Sequence, residues 1–205
     1  MKKSIALFIL LIACVAFNTE ARTIRELFIE EPGHVLPLIN DKVKMDMIDY
    51  HNEGIKKVFP NVLGHGTELI AVTDNYISVT STASTSVELL LITQKTDSVI
   101  IAITTVALPA KDSRIELYNT SWEKLNLKLN TPTMKDFISI PKGDKTKKET
   151  VLQSIDLPII SYSINPDNGT ITARHSLKEY LSKDEYEKIA PYLRDSIEIP
   201  IKIKK

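Results

Sequence analysis

Three carboxylates, Asp46, Asp49 and Glu53, stand at i, i+3 and i+7. On a helix that spacing gathers them on one side, and hard cations such as calcium prefer carboxylate oxygens. Calcium loops converge their ligands from a turn, however, whereas a straight helix splays them. Lys42, four residues before Asp46, also neutralises the stripe, so a solvated helix face is the expectation. His51 and His65 flank a loop holding Gly64 and Gly66. With Asp49 they would supply the three protein ligands of a catalytic zinc. The H-E-x-x-H spacing is missing. Asp49, His51 and His65 are therefore metal candidates beside a plainer reading: a flexible turn at 64–66 and a half-buried helix histidine. His34 and His175 have no obvious partners.

For nucleophilic catalysis the chain offers no G-x-S-x-G and no glycine-rich phosphate loop. S-x-x-K occurs at Ser121 with Lys124 and at Ser139 with Lys142, without the companion motifs of penicillin-recognising enzymes. No catalytic residue and no cofactor is assigned. The single tryptophan, Trp122, lies just beyond a strand that ends at Tyr118. Tryptophan is enriched at interface hot spots. Trp122 and Tyr118 are thus candidates for a ligand or partner surface; the alternative is that they cap the core at a sheet end.

The elements that would position these residues are legible from periodicity. Thr23 with Glu26 reads as a capping box, followed by Ile24, Leu27 and Phe28 on one face and closed by Pro32-Gly33. Asn40 N-caps a second helix running to about residue 53, stopped by Gly54, with Val43, Met47 and Tyr50 inward. From residue 67 the period becomes two. Strands are expected at 68–73, 76–82, 87–93, 99–106 and 114–118, separated by polar turns, as in an antiparallel meander. VIIAITTV (99–106) is apolar on both faces and should be a central strand covered twice. The 76–82 strand carries Ser and Thr on one face and belongs near an edge or a solvated face.

Residues 126–150 are the least readable, and the lysine-rich 142–148 segment is expected to be a solvated, mobile loop. Order returns at 157–164, and NPDNGT (165–170) is a hairpin signal. Leu177 starts a helix, Ser182 with Glu185 forms a second capping box, and Pro191 should kink or end the helix. Residues 196–204 alternate Ile197, Ile199, Ile201 and Ile203 with polar neighbours, and Pro200 places this strand at a sheet edge. The fold expected is α+β: an antiparallel β-meander sheet with N- and C-terminal helices packed on one face. Residues 22–205 should form a single domain, with candidate lobes 22–130 and 131–205.

The chain begins MKKSIALFILLIACVAFNTEA. Two lysines precede an uncharged apolar run at 4–17, and Thr19-Glu20-Ala21 fits an A-x-A type cut, so 1–21 reads as a cleaved signal peptide. The rival is a lipobox at Leu11-Ile12-Ala13-Cys14, with Cys14 acylated and the protein held as an outer-membrane lipoprotein. Val15, Ala16 and Phe17 continue the apolar run where a lipoprotein tether is usually polar, which favours the first reading. A cut after Ala21 leaves no cysteine, so stability must come from a packed core. Charge is balanced, 26 Lys and Arg against 26 Asp and Glu, with no basic stripe for nucleic acid. No second apolar stretch is long enough to span a membrane.

IRELFIEEP (24–32), MDMIDYHNEG (45–54), VTDNYISV (72–79), TTVALPAKDSRIELYNTSW (104–122) and LPIISYSI (157–164) together resemble a family of uncharacterised exported proteins from Bacteroidales, a domain of unknown function. The resemblance spans most of the mature chain and implies cleavage by ordinary signal peptidase. It brings no activity, cofactor or site residue. The expected function is an exported periplasmic, non-catalytic module that binds a small ligand or an envelope protein. The alternatives are an envelope hydrolase with a dispersed active site, or a lipid-anchored accessory protein of an outer-membrane assembly.

Overall fold

The computed structural model describes residues 22–93, 97–140 and 145–204. Residues 1–21 with Cys14, and 142–144 of the lysine-rich segment, lie outside the described residues. Two helices come first, α1 (Ile24–Ile29) and α2 (Asp41–Asn52). Six strands follow: β1 (Val58–Pro60), β2 (Gly66–Val72), β3 (Tyr76–Thr82), β4 (Thr85–Thr93), β5 (Ser98–Ala107) and β6 (Lys111–Tyr118). Then come β7 (Lys128–Leu129), α3 (Met134–Phe137), α4 (Lys145–Gln153), β8 (Ile160–Asn165), β9 (Thr170–His175), α5 (Leu177–Tyr180), α6 (Lys183–Ile189), a 3-10 turn over Ala190–Tyr192, β10 (Ser196–Pro200) and β11 (Ile203–Lys204). No helix among the described residues is long and apolar enough to cross a membrane.

The fold is α+β, built on an antiparallel meander in the order β1-β2-β3-β4-β5-β6. Because side chains alternate along a strand, its two faces can be read as cross-strand rows. On one face Ile77, Val79, Val87, Leu89, Ile100 and Ala102 pack under Ile24, Leu27 and Phe28 of α1 and Met47 and Ile48 of α2. The N-terminal helices start as the sequence predicts: Thr23 and Glu26 close a capping box, and Asn40 accepts the Val43 amide at 3.0 Å.

The other face grades from apolar to polar. One row, Tyr76–Leu90–Ile101–Leu117, is apolar throughout. It packs with Ile164 of β8 and Ile171 of β9. Toward the far end, a row crossing all six strands reads Val58–Glu68–Thr80–Ser86–Thr105–Ser113. The three-stranded sheet, in the order β10-β9-β8, covers the apolar rows. At its β8 edge the Tyr162 amide donates to Ser113 Oγ at 3.0 Å, and the Ile164 amide donates to Glu88 Oε2 at 2.6 Å. Sheet-edge amides that would otherwise be orphaned are thus met by side chains of the larger sheet.

Four readings change. Residues 145–153 are helix α4, not loop, because Val151 buries against Phe137, Ile160 and Ile189. The C-terminal helices do not share the face of α1 and α2; α3 to α6 cover the end of the three-stranded sheet, through Met134, Phe137, Leu177 and Ile189. The 196–204 strand breaks after Pro200, and its end pairs with β7 in a separate two-stranded ribbon. The buried stripe of α2 is Lys44, Met47 and Ile48, with Val43 and Tyr50 only partly covered.

Candidate functional site

The turn after β6 is built by Asn119. Its Oδ1 accepts the amides of Ser121 and Glu123, both at 2.9 Å, and its Nδ2 donates to Glu123 Oε2 at 2.7 Å. That turn holds Trp122 at φ 60°, a left-handed conformation strained for a bulky side chain. The ring repays the strain by burial. Its Nε1 donates to the Leu27 carbonyl of α1 at 3.0 Å, and it lies 5.4 Å from the Tyr118 ring. Both rings are 4% exposed. The two residues suggested as a ligand surface are brought together, with α1 over them; they sit where the core-capping alternative places them.

Below Tyr118, Glu116 is a carboxylate with three partners. Lys124 Nζ lies at 2.7 Å, Arg114 Nη2 at 2.9 Å and the Tyr118 hydroxyl at 3.2 Å. Burial pushes its pKa up, yet Lys124, Arg114 and Tyr118 together hold it below the usual carboxylate value. Burial and this carboxylate push Tyr118 up to about 12. A cleft of about 270 Å³ runs beside it between Leu117, Leu125 and Leu127. Lys124 ties the 119–124 turn to β6 through Glu116, while Arg114 and Tyr118 hold the same carboxylate from β6 itself, so its chemistry is that of a clasp.

Asp49 and His51 are exposed on the last turns of α2, and His65 is exposed on the β1–β2 turn. Among the described residues no three His, Cys, Asp or Glu side chains stand close enough to hold a metal ion. Asp46 pairs with Lys42 at 2.8 Å, the helix-face neutralisation expected. His34 stacks on Tyr118 at 6.3 Å. His175 lies in the C-terminal core, edge-on to Phe137 at 5.5 Å.

A larger open hollow lies elsewhere among the described residues, over the polar row. A hollow of about 610 Å³ is lined by Val58, His65, Glu68, Thr80, Thr82 and Ser84 among others. Asn61 shapes its rim: the Oδ1 accepts the Leu63 and His65 amides at 2.9 and 3.1 Å, and the Nδ2 donates to the Ser81 carbonyl at 3.0 Å. Gly66 makes the floor, since a Cβ there would meet Val58 Cγ1 at 2.9 Å. The same turn exposes Val62 and Leu63, at 57% and 64%. Sequence reasoning marked the Ser/Thr face of β3 but not its alignment with Glu68 and Ser86, which only strand register supplies.

Among solved structures, a domain of an uncharacterized protein from Porphyromonas gingivalis W83 is similar in fold, with a TM-score of 0.73 at 22% identity, over 87% of this chain and 95% of that one. Among curated proteins none matches. The family model described as "Protein of unknown function (DUF3256)" matches residues 16–199. The chain therefore belongs to this family, a domain of unknown function with an α+β fold.

Proposed function

We propose that the chain is an exported, non-catalytic binding module that holds an envelope protein or small envelope ligand on the polar half of its six-stranded sheet. The observation that carries this reading is the boundary of coverage. The three-stranded sheet packs over the apolar rows and meets the larger sheet at Ser113 and Glu88; the row Val58–Glu68–Thr80 beyond them lines an open hollow. Exposed Val62 and Leu63 beside hydroxyls and a carboxylate offer the mix of apolar and hydrogen-bonding contact that protein interfaces use.

The face suits a partner better than the edge does. The Asn61 amide bonds back to the His65 carbonyl, so alternation turns Pro60 to the free side of β1, where it has no N–H to offer. A three-residue strand ending in proline resists strand addition. Glu116, the carboxylate beside the smaller cleft, is already occupied by Lys124 and Tyr118.

Two measurements test the proposal. Mass spectrometry of the native product should find an unmodified N-terminus at Arg22. An acylated Cys14 would establish the lipoprotein reading instead. Retention of a stoichiometric partner or ligand from envelope extract should be lost in the double variant Glu68→Arg/Thr80→Arg. Equal retention by wild type and variant would reject this face.

A further inference from the structure

His175 closes β9 with its imidazole wedged between α3 and α6. The ring stands at 81° to Phe137 and lies 6.4 Å from Tyr186. Both Nδ1 and Nε2 are buried, and neither has a hydrogen-bond partner among the described residues. A neutral imidazole there leaves one donor and one acceptor unmet; the protonated ring would leave two donors and a charge.

The groups facing the ring set the balance. Glu179 on α5 and Asp195 before β10 act on it as carboxylates, and Tyr186 on α6 contributes a phenol. From α3 comes the uncharged Phe137, and from β8 the cross-strand neighbour Ile160. Burial lowers the pKa of the ring from 6.5, and the pull of Asp195 and Glu179 in the opposite direction does not restore it.

The elements around the ring are the ones able to move. Helices α5 and α6 have 4 and 7 residues, too short to persist without packing. They are held through Leu177 and Ile189 in a cluster with Met134, Phe137, Ile160 and Ala173, which among the described residues meets the inter-sheet cluster through the half-buried Tyr162. Local opening of such a unit needs less free energy than global unfolding.

We propose that His175 is an acid-sensitive latch: a proton added to its imidazole loosens α5 and α6 from β8 and β9 while the six-stranded sheet stays folded. The device is independent of the binding reading. Its sign follows from linkage. The folded pKa is depressed, so the opened form binds the proton more readily; the latch is closed above pH 6.5 and released as pH falls through the folded value. Each unit of depression multiplies the opening constant about tenfold at acid pH.

Amide exchange of the full chain, corrected for intrinsic rates, reads this directly. Between about pH 7.5 and about pH 5, residues 177–193 should lose protection while β3 to β5 keep theirs. In His175→Phe, which has no proton to gain, the C-terminal helices should stay protected at both values. Equal protection in the wild type, or the same loss in His175→Phe, would overturn the latch. A titration of the wild-type imidazole by NMR keeps the test decisive even if that variant misfolds. The expected midpoint lies below 6.5, and a midpoint at or above it, with Glu179 and Asp195 prevailing, contradicts the proposal.

Discussion

Lys44 is fully buried on α2, where a sequence reading leaves it outside the inward stripe. Its ammonium donates to the Glu31 carbonyl and pairs with Glu31 Oε2 at 3.3 Å, while Glu31 Oε1 accepts the Val35 amide at 2.9 Å. This pair fixes the chain between α1 and α2. Residues 31 and 44 are too distant in sequence to announce each other, and a lysine on an amphipathic helix reads as solvent-facing. Lys44→Met strands a buried carboxylate and should cost about 3–5 kcal/mol in urea unfolding. Trp122→Ala empties the space under α1 and should cost about 3–5 kcal/mol in the same measurement. Glu88 tests a different balance. Burial pushes its pKa above 4.5 despite the Ile164 amide and the Tyr76 hydroxyl. The protonated form is favoured on folding, so its contribution is complete below pH 4.5 and is lost as pH rises through the folded value. Glu88→Gln keeps an oxygen for the Ile164 amide without a charge to bury. Its thermal midpoint should equal or exceed that of the wild type at neutral pH, and the advantage should vanish below pH 4.5.

At the scale of elements, the meander was legible because each strand carries its own alternation and polar turn. β5 is covered on both faces, as its apolar run predicts: Ile100 and Ala102 meet the N-terminal helices, and Ile101 and Ile103 meet the second sheet. Pro191 does end α6, within the 3-10 turn. Short pieces escaped. β1 and β7 have 3 and 2 residues, too few to show a period. Helix α4 hid behind its lysines, and among its residues of described burial Val151 alone is buried. The docking of β8 was also invisible, because it rests on backbone amides. Ser113→Ala removes the acceptor of the Tyr162 amide and should cost about 1–3 kcal/mol. Faster exchange of that one amide, with β9 amides unchanged, is the accompanying signature.

The described residues are layered by composition: helices over one apolar face of the larger sheet, a second sheet over the apolar half of the other, and the polar row open on its β1 to β3 side. Tyr162 packs in both the inter-sheet cluster and the C-terminal one and so joins the two. We propose that 22–205 is one folding unit, which at neutral pH should show a single urea transition seen alike by Trp122 fluorescence and far-UV circular dichroism. The central claim is that the open polar half is the binding surface. It is tested most directly by a deuterium-exchange footprint of the chain with the partner or ligand it retains from envelope extract. The account predicts slowed exchange confined to 61–68 and 80–86, around the Asn61 turn and the β3–β4 hairpin. Slowed exchange along β6 and 124–131 instead, or none anywhere in the six-stranded sheet, would contradict it.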